Sequence, residues 1–158
     1  MQRRILLAAL LVCPVAAAAQ PAPIRLDDVW SRAAMAGRIG VVYLTITATG
    51  APDTLLGAST PVAARAELHE STDDQGVMKM RPVASLPVEP GKLLVFDPGH
   101  YHIMLVDLVH ALKEGDNFPI MLRFAIAGAV TAAVSVQKAG ASEMKMPPGD
   151  GTMPGMKM

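Results

Sequence analysis

The chain has 158 residues, enough for one domain, with 14 Lys+Arg against 14 Asp+Glu. That balance offers no basic surface for nucleic acid or for an anionic membrane, and both partner classes are set aside. The uneven counts are one cysteine and eleven methionines; Met144, Met146, Met153, Met156 and Met158 crowd the last fifteen positions.

The first element, "MQRRILLAALLVCPVAAAAQ", places Arg3 and Arg4 before an apolar run from Ile5 to Val12 and then small residues. This is the layout of a secretory signal peptide, expected to span 1–19 with cleavage after Ala19. The apolar run is too short to cross a bilayer. "LLVC" is a poor lipid-attachment box, so Cys13 is expected to leave with the signal. The mature chain would then keep 12 Lys+Arg against 14 Asp+Glu, a net of −2, and no cysteine. It is expected outside the cytoplasm, in an oxidising compartment, without a membrane span and with neither disulfides nor thiolate ligands.

From Ile24 the pattern reads as strands. "DDVWSRAAMAG" could form a helical turn, but no long amphipathic helix follows. "VVYLTITATG" (41–50) sets Val42, Leu44 and Ile46 against Tyr43, Thr45 and Thr47 and turns at "TGAPD". "DTLLGASTPVAARAELHE" gives a short strand, a turn at "STP", and a strand near 64–70. "GVMKMRPV" (76–83) is a brief strand after the "TDDQG" turn. "KLLVFDPGHYHIMLVDL" holds two strands around "DPG", "VHALKEGD" is a loop, and "NFPIMLRFAIAG" with "VTAAVSVQ" forms a closing hairpin. Seven to nine such strands predict an all-β antiparallel sandwich over 20–138. The segment 139–158 is rich in Gly, Pro and Met and is expected to be a flexible tail.

Within 64–70, Ala64, Ala66 and Leu68 share one strand face, leaving Arg65, Glu67 and His69 on the wetter one. The next strand pairs Met78 with Met80, and as core filler they would leave Lys79 and Arg81 in solvent. "GHYHIML" aligns His100, His102 and Met104, with Tyr101, Ile103 and Leu105 packing inward. Neighbours at i and i+2 lie about 7 Å apart, so one adjacent pair, His100/His102 or His102/Met104, can chelate an ion. Thioethers favour Cu(I), imidazole suits copper and zinc, and a blue-copper site would need a cysteine. Each residue alone also has an ordinary structural reading; His110 and Met121 are left structural. No nucleophile–base pair, phosphate loop or carboxylate pair supports an enzyme.

The combined spacing His69-x10-Met80-x21-His102-x-Met104 resembles the signature of the periplasmic copper chaperone family PCuAC. "YLTITATG", "LLGASTPVAARAELHE", "GVMKMRPV", "YHIMLVDL" and "LKEGDNFPIMLRF" resemble that family's blocks, in its order, from about Ile24 to Gln137. The resemblance implies a cupredoxin-like Greek-key sandwich binding one Cu(I) through His69, Met80, His102 and Met104. His100 and Met78 would then be accessory donors, and the tail methionines weak Cu(I) sites. It also implies a carrier that delivers copper to a cytochrome c oxidase subunit or a thiol-bearing assembly factor; the alternative is a periplasmic copper buffer. Two departures stand out: "HESTDDQG" lacks the methionine often found after the first histidine, and the tail has no histidine for Cu(II).

Overall fold

The structure is a computed structural model that describes residues 24–143. The expected signal peptide, Cys13 and the five tail methionines lie outside the described residues. Ten strands run in chain order: β1 (Ile24–Arg32), β2 (Gly40–Ala48), β3 (Asp53–Ser59), β4 (Ala63–Asp74), β5 (Val77–Pro82), β6 (Leu86–Val88), β7 (Leu93–Phe96), β8 (Tyr101–Leu108), β9 (Asn117–Phe124) and β10 (Ala129–Gln137). The all-β expectation holds.

The strands do not divide into two separate sheets. They form one ten-stranded sheet in the order β5-β4-β8-β7-β2-β1-β10-β9-β3-β6, and β3 returns to pair with β4, giving a barrel-like closure. The last described strand reaches the first as a parallel pair, Trp30 opposite Ser135. The seam between β3 and β4 is a single pairing, Ala58 with Ala66.

Alternation explains the core. Along β9 every second side chain is buried, namely Phe118, Ile120, Leu122 and Phe124. They meet Val42, Leu44 and Ile46 of β2 and Leu68, Ile103 and Leu105 of β4 and β8 in one cluster. Segment 27–37 holds no helix: residues 27–32 belong to β1, whose register shifts between Asp27 and Trp30, with Asp28 at φ 50°, and a turn at 35–38 follows. The bulge lets Val29, Trp30 and Ser31 all be buried in succession, which no amphipathic pattern would reveal.

The described residues reach five positions into the segment expected as a tail. Ala141 packs against Trp30 and Tyr43, and its carbonyl accepts the Arg32 Nε–H at 2.7 Å. Segment 139–143 is therefore anchored by a recess built from distant strands.

Candidate metal centre

The site begins with a turn. Gln75 (φ 56°) and Gly76 (φ 85°) link β4 to β5 as a two-residue loop with both φ values positive, the mirror-type turn that suits a twisted hairpin. The Gly76 N–H donates to Asp73 Oδ1 at 2.7 Å. This turn sets Ser71 opposite Met80 and His69 opposite Pro82. On its other side, β4 sets His69 opposite His102 and Glu67 opposite Met104 of β8.

Opposed residues share a face, as do residues two apart. One face of β8-β4-β5 therefore carries His102 and Met104, then Glu67, His69 and Ser71, then Met78 and Met80. His69 occupies the centre, with His102 directly across and the two predicted methionine donors one diagonal step away, about 7–8 Å between backbones. The His69 and His102 rings have centres 5.8 Å apart. The reverse face holds Leu68, Ile103 and Leu105 in the core.

The two histidines are only 9% and 3% exposed, so His69 is drier than its expected wet-face position near a strand end; β4 runs five residues past it. His69 Nδ1 and His102 Nε2 are buried without a hydrogen-bond partner. Leaving such an atom unsatisfied costs about 1–3 kcal/mol. The other ring nitrogens are engaged: His69 Nε2 lies 3.2 Å from Glu67 Oε2, and His102 Nδ1 lies 3.4 Å from Ser71 Oγ. Glu67 Oε1 accepts from Arg65 Nε at 3.2 Å.

Electrostatics keep His102 available as a donor. Burial, reinforced by the neighbouring His69, pushes the His102 pKa down and favours its neutral ring. The hydrogen bond from His69, aided by Arg65, holds the Glu67 carboxyl below its usual range. Met80 is 61% exposed while Met104 is half-buried, so the donor set reaches from the interior to solvent. Among the described residues, no group of three or more His, Cys, Asp or Glu could hold a metal ion. The two imidazoles and two thioethers on this face make a soft donor set.

The other candidates are placed differently. His100 precedes β8; its exposed ring turns to Asp97, with Nδ1 2.9 Å from both carboxylate oxygens, while its carbonyl accepts the Ser71 N–H at 2.7 Å. The expected row His100-His102-Met104 is thus cut at His102, because the strand begins only at Tyr101. Burial works to raise the Asp97 carboxyl, but the hydrogen bonds from His100 and Gly99 outweigh it and lower it. Met78 shares the donor face but sits one step further out, opposite Asp73. Met121 points outward from β9, and His110 is exposed beyond β8. Spacing alone did not single out Ser71, although its place two residues after His69 carried the signal.

Fold and face together define the class: a barrel-like all-β domain with imidazole and thioether side chains gathered on one outer face. Residues 24–136 match the family described as "Putative lipoprotein LpqE-like". The chain belongs to this LpqE-like family. It is 28% identical over 123 residues to "Putative lipoprotein Lxx21020" of Leifsonia xyli subsp. xyli, covering 76% of this chain and 74% of that protein. Among solved structures, it resembles the copper-bound PCuAC domain from PmoF2 at 22% identity and TM-score 0.62, covering 73% of this chain and 93% of that one. It also resembles apo-DR1885 from Deinococcus radiodurans at 26% identity and TM-score 0.55, covering 87% and 94%. The CuI form of DR1885 matches at 25% identity and TM-score 0.52, covering 71% and 78%.

Proposed function

We propose that this protein is a periplasmic carrier of Cu(I), bound by His69, Met80, His102 and Met104. The observation that carries the reading is the register: pairing of β4 with β5 and β8 gathers two orphaned imidazole nitrogens and two thioethers on one face. The likeness to CuI-DR1885 supports the choice of ion and of oxidation state. The similarity to PCuAC domains likewise favours a cupredoxin-like ancestry for the barrel-like sheet.

Uncharged donors suit a carrier. Four neutral ligands hold a soft monovalent ion without neutralising its charge, and an exposed Met80 is the donor most easily displaced by an incoming ligand. Transfer would proceed by stepwise ligand exchange, with no catalysis. The proposed acceptor is the dinuclear copper centre of cytochrome c oxidase or a thiol-bearing assembly factor, and the tail methionines would recruit Cu(I) weakly. Export accords with membership of a family described as lipoproteins; a mature mass without lipid would place Cys13 in a removed 1–19 signal, and a lipidated Cys13 would place the cut before it.

The test is Cu(I) titration of the mature chain with X-ray absorption on the loaded form. The expected result is one ion with two nitrogen and two sulfur neighbours. Affinity unchanged by Met80→Leu with Met104→Leu would overturn the assignment.

A further inference from the structure

We propose that Glu67 is a positioning residue, fixing His69 in the tautomer that presents Nδ1, so that the ion is held by His69 Nδ1 and His102 Nε2. The inference rests on the reading of these two histidines as ligands. It adds which atom of each ring binds and what determines that choice.

A carboxylate only accepts hydrogen bonds, so a neutral ring placed against it must carry its proton on the facing nitrogen. Glu67 Oε2 faces His69 Nε2 at 3.2 Å. The proton belongs on Nε2 and the lone pair on Nδ1, the atom that is buried with no partner. Glu67 is itself held, because its second oxygen takes the Arg65 Nε–H at 3.2 Å. Arg65, Glu67 and His69 occupy alternate positions of β4 and so form one row on one face. The strand thereby orients its own ligand through two preceding residues. On β8 the ring is reversed: Ser71 Oγ stands 3.4 Å from His102 Nδ1, and Nε2 is the orphan. A hydroxyl can donate or accept, so Ser71 constrains His102 less strictly than Glu67 constrains His69. Donor nitrogens sit about 2 Å from a bound ion, and ring centres 5.8 Å apart leave a gap of the size one ion between two rings would span. Outer partners of this kind are worth roughly 10–100-fold in metal affinity.

The experiment uses the whole mature chain with 15N-labelled histidine. Long-range proton–nitrogen NMR of the metal-free protein reads each tautomer, and Cu(I) competition titration reads affinity. Wild type is expected to show His69 protonated at Nε2. Glu67→Ala is expected to redistribute the proton toward Nδ1 and weaken Cu(I) about 10–100-fold with the amide spectrum of the core unchanged. Glu67→Gln keeps an accepting oxygen and should restore most of both signals. Normal Cu(I) binding with wild-type His69 protonated at Nδ1, or Glu67→Ala with tautomer and affinity intact, overturns this proposal alone. A wild-type chain that binds no Cu(I) overturns it together with the functional reading.

Discussion

Strands β9 and β4 are built from the same rule and obey it to different degrees. On β9 burial alternates without exception, Phe118, Ile120, Leu122 and Phe124 inward and Asn117, Pro119, Met121 and Arg123 outward. On β4 the inward Leu68 is followed by His69, which faces outward and is nonetheless buried, and Ser71 on that face is buried too. The β9 pattern is what stability alone would choose. On β4 and its neighbour β8, one imidazole nitrogen each is kept dry and unpaired, a cost that stability alone would not retain.

The largest effect should come from breaking the β9 side. Ile120 is fully buried, and Ile120→Ala is expected to cost about 2–5 kcal/mol in denaturant unfolding while leaving the donor face intact. His102→Leu should do the reverse. In the metal-free protein it removes a buried orphan, so unfolding free energy is expected to hold or rise by about 1 kcal/mol, with Cu(I) binding lost. A metal-free loss of several kcal/mol at His102 would show that the pair serves stability after all.

Next in size is a buried carboxylate that stability does use. Asp53 accepts the N–H groups of Thr54, Ile126 and Ala127 at 2.7–2.9 Å and so ties β3 to the β9–β10 turn. Burial acts to raise its pKa, but these backbone hydrogen bonds prevail and lower it. A carboxyl with a lowered folded pKa contributes stability above its unfolded value, and that stability is lost as pH falls through the folded one. Asp53→Ala is expected to cost about 1–3 kcal/mol at neutral pH and to flatten the loss of thermal stability below about pH 4. His102 adds an earlier step of the same sign: its lowered folded pKa means that stability falls once the unfolded ring begins to protonate, near pH 6.5.

Much of this was legible beforehand, for identifiable reasons. Alternation and Gly/Pro turns mark the strands from 41 onward, and the resemblance to the PCuAC signature proposes the four candidate donors. The failures have local causes. The Asp28 bulge breaks the alternation of β1, so a strand covered on both sides lacks the period-2 pattern there. Ala141 docks on Trp30 and Tyr43, a contact across more than ninety residues that composition cannot carry. His100 keeps the two-residue spacing but lies outside the strand, because its ring prefers Asp97. The burial of His69 and the roles of Glu67 and Ser71 appear only once the pairing partners of β4 are known.

A smaller effect sharpens the comparison at the turn. Gly76 adopts φ 85° with open space around its missing Cβ, so Gly76→Ala adds strain and no clash, about 1 kcal/mol. Deleting Gln75 is more informative than straining Gly76. A shortened loop shifts the pairing by one residue and turns Met80 to the opposite face. Folding should survive, since every β5 side chain is exposed, while Cu(I) affinity should fall as it does in Met80→Leu.

The smallest effect separates the two faces of β5 itself. Arg81 is directly opposite Glu70 and donates to its Oε2 from Nε at 2.8 Å and from Nη2 at 2.6 Å. Both residues sit at positions one removed from the donors, so this ion pair lies on the reverse side of the hairpin from Met80. Arg81 is largely in solvent and Glu70 partly buried, and pairs with one exposed partner are worth at most about 1 kcal/mol. Arg81→Ala is therefore expected to lower stability by under about 1 kcal/mol, less at high salt, with no change in Cu(I) affinity. Met80→Leu should leave stability unchanged and weaken Cu(I). If Arg81→Ala weakened Cu(I) as much as Met80→Leu, the ion would depend on the hairpin as a whole and not on the face that its register turns toward His69.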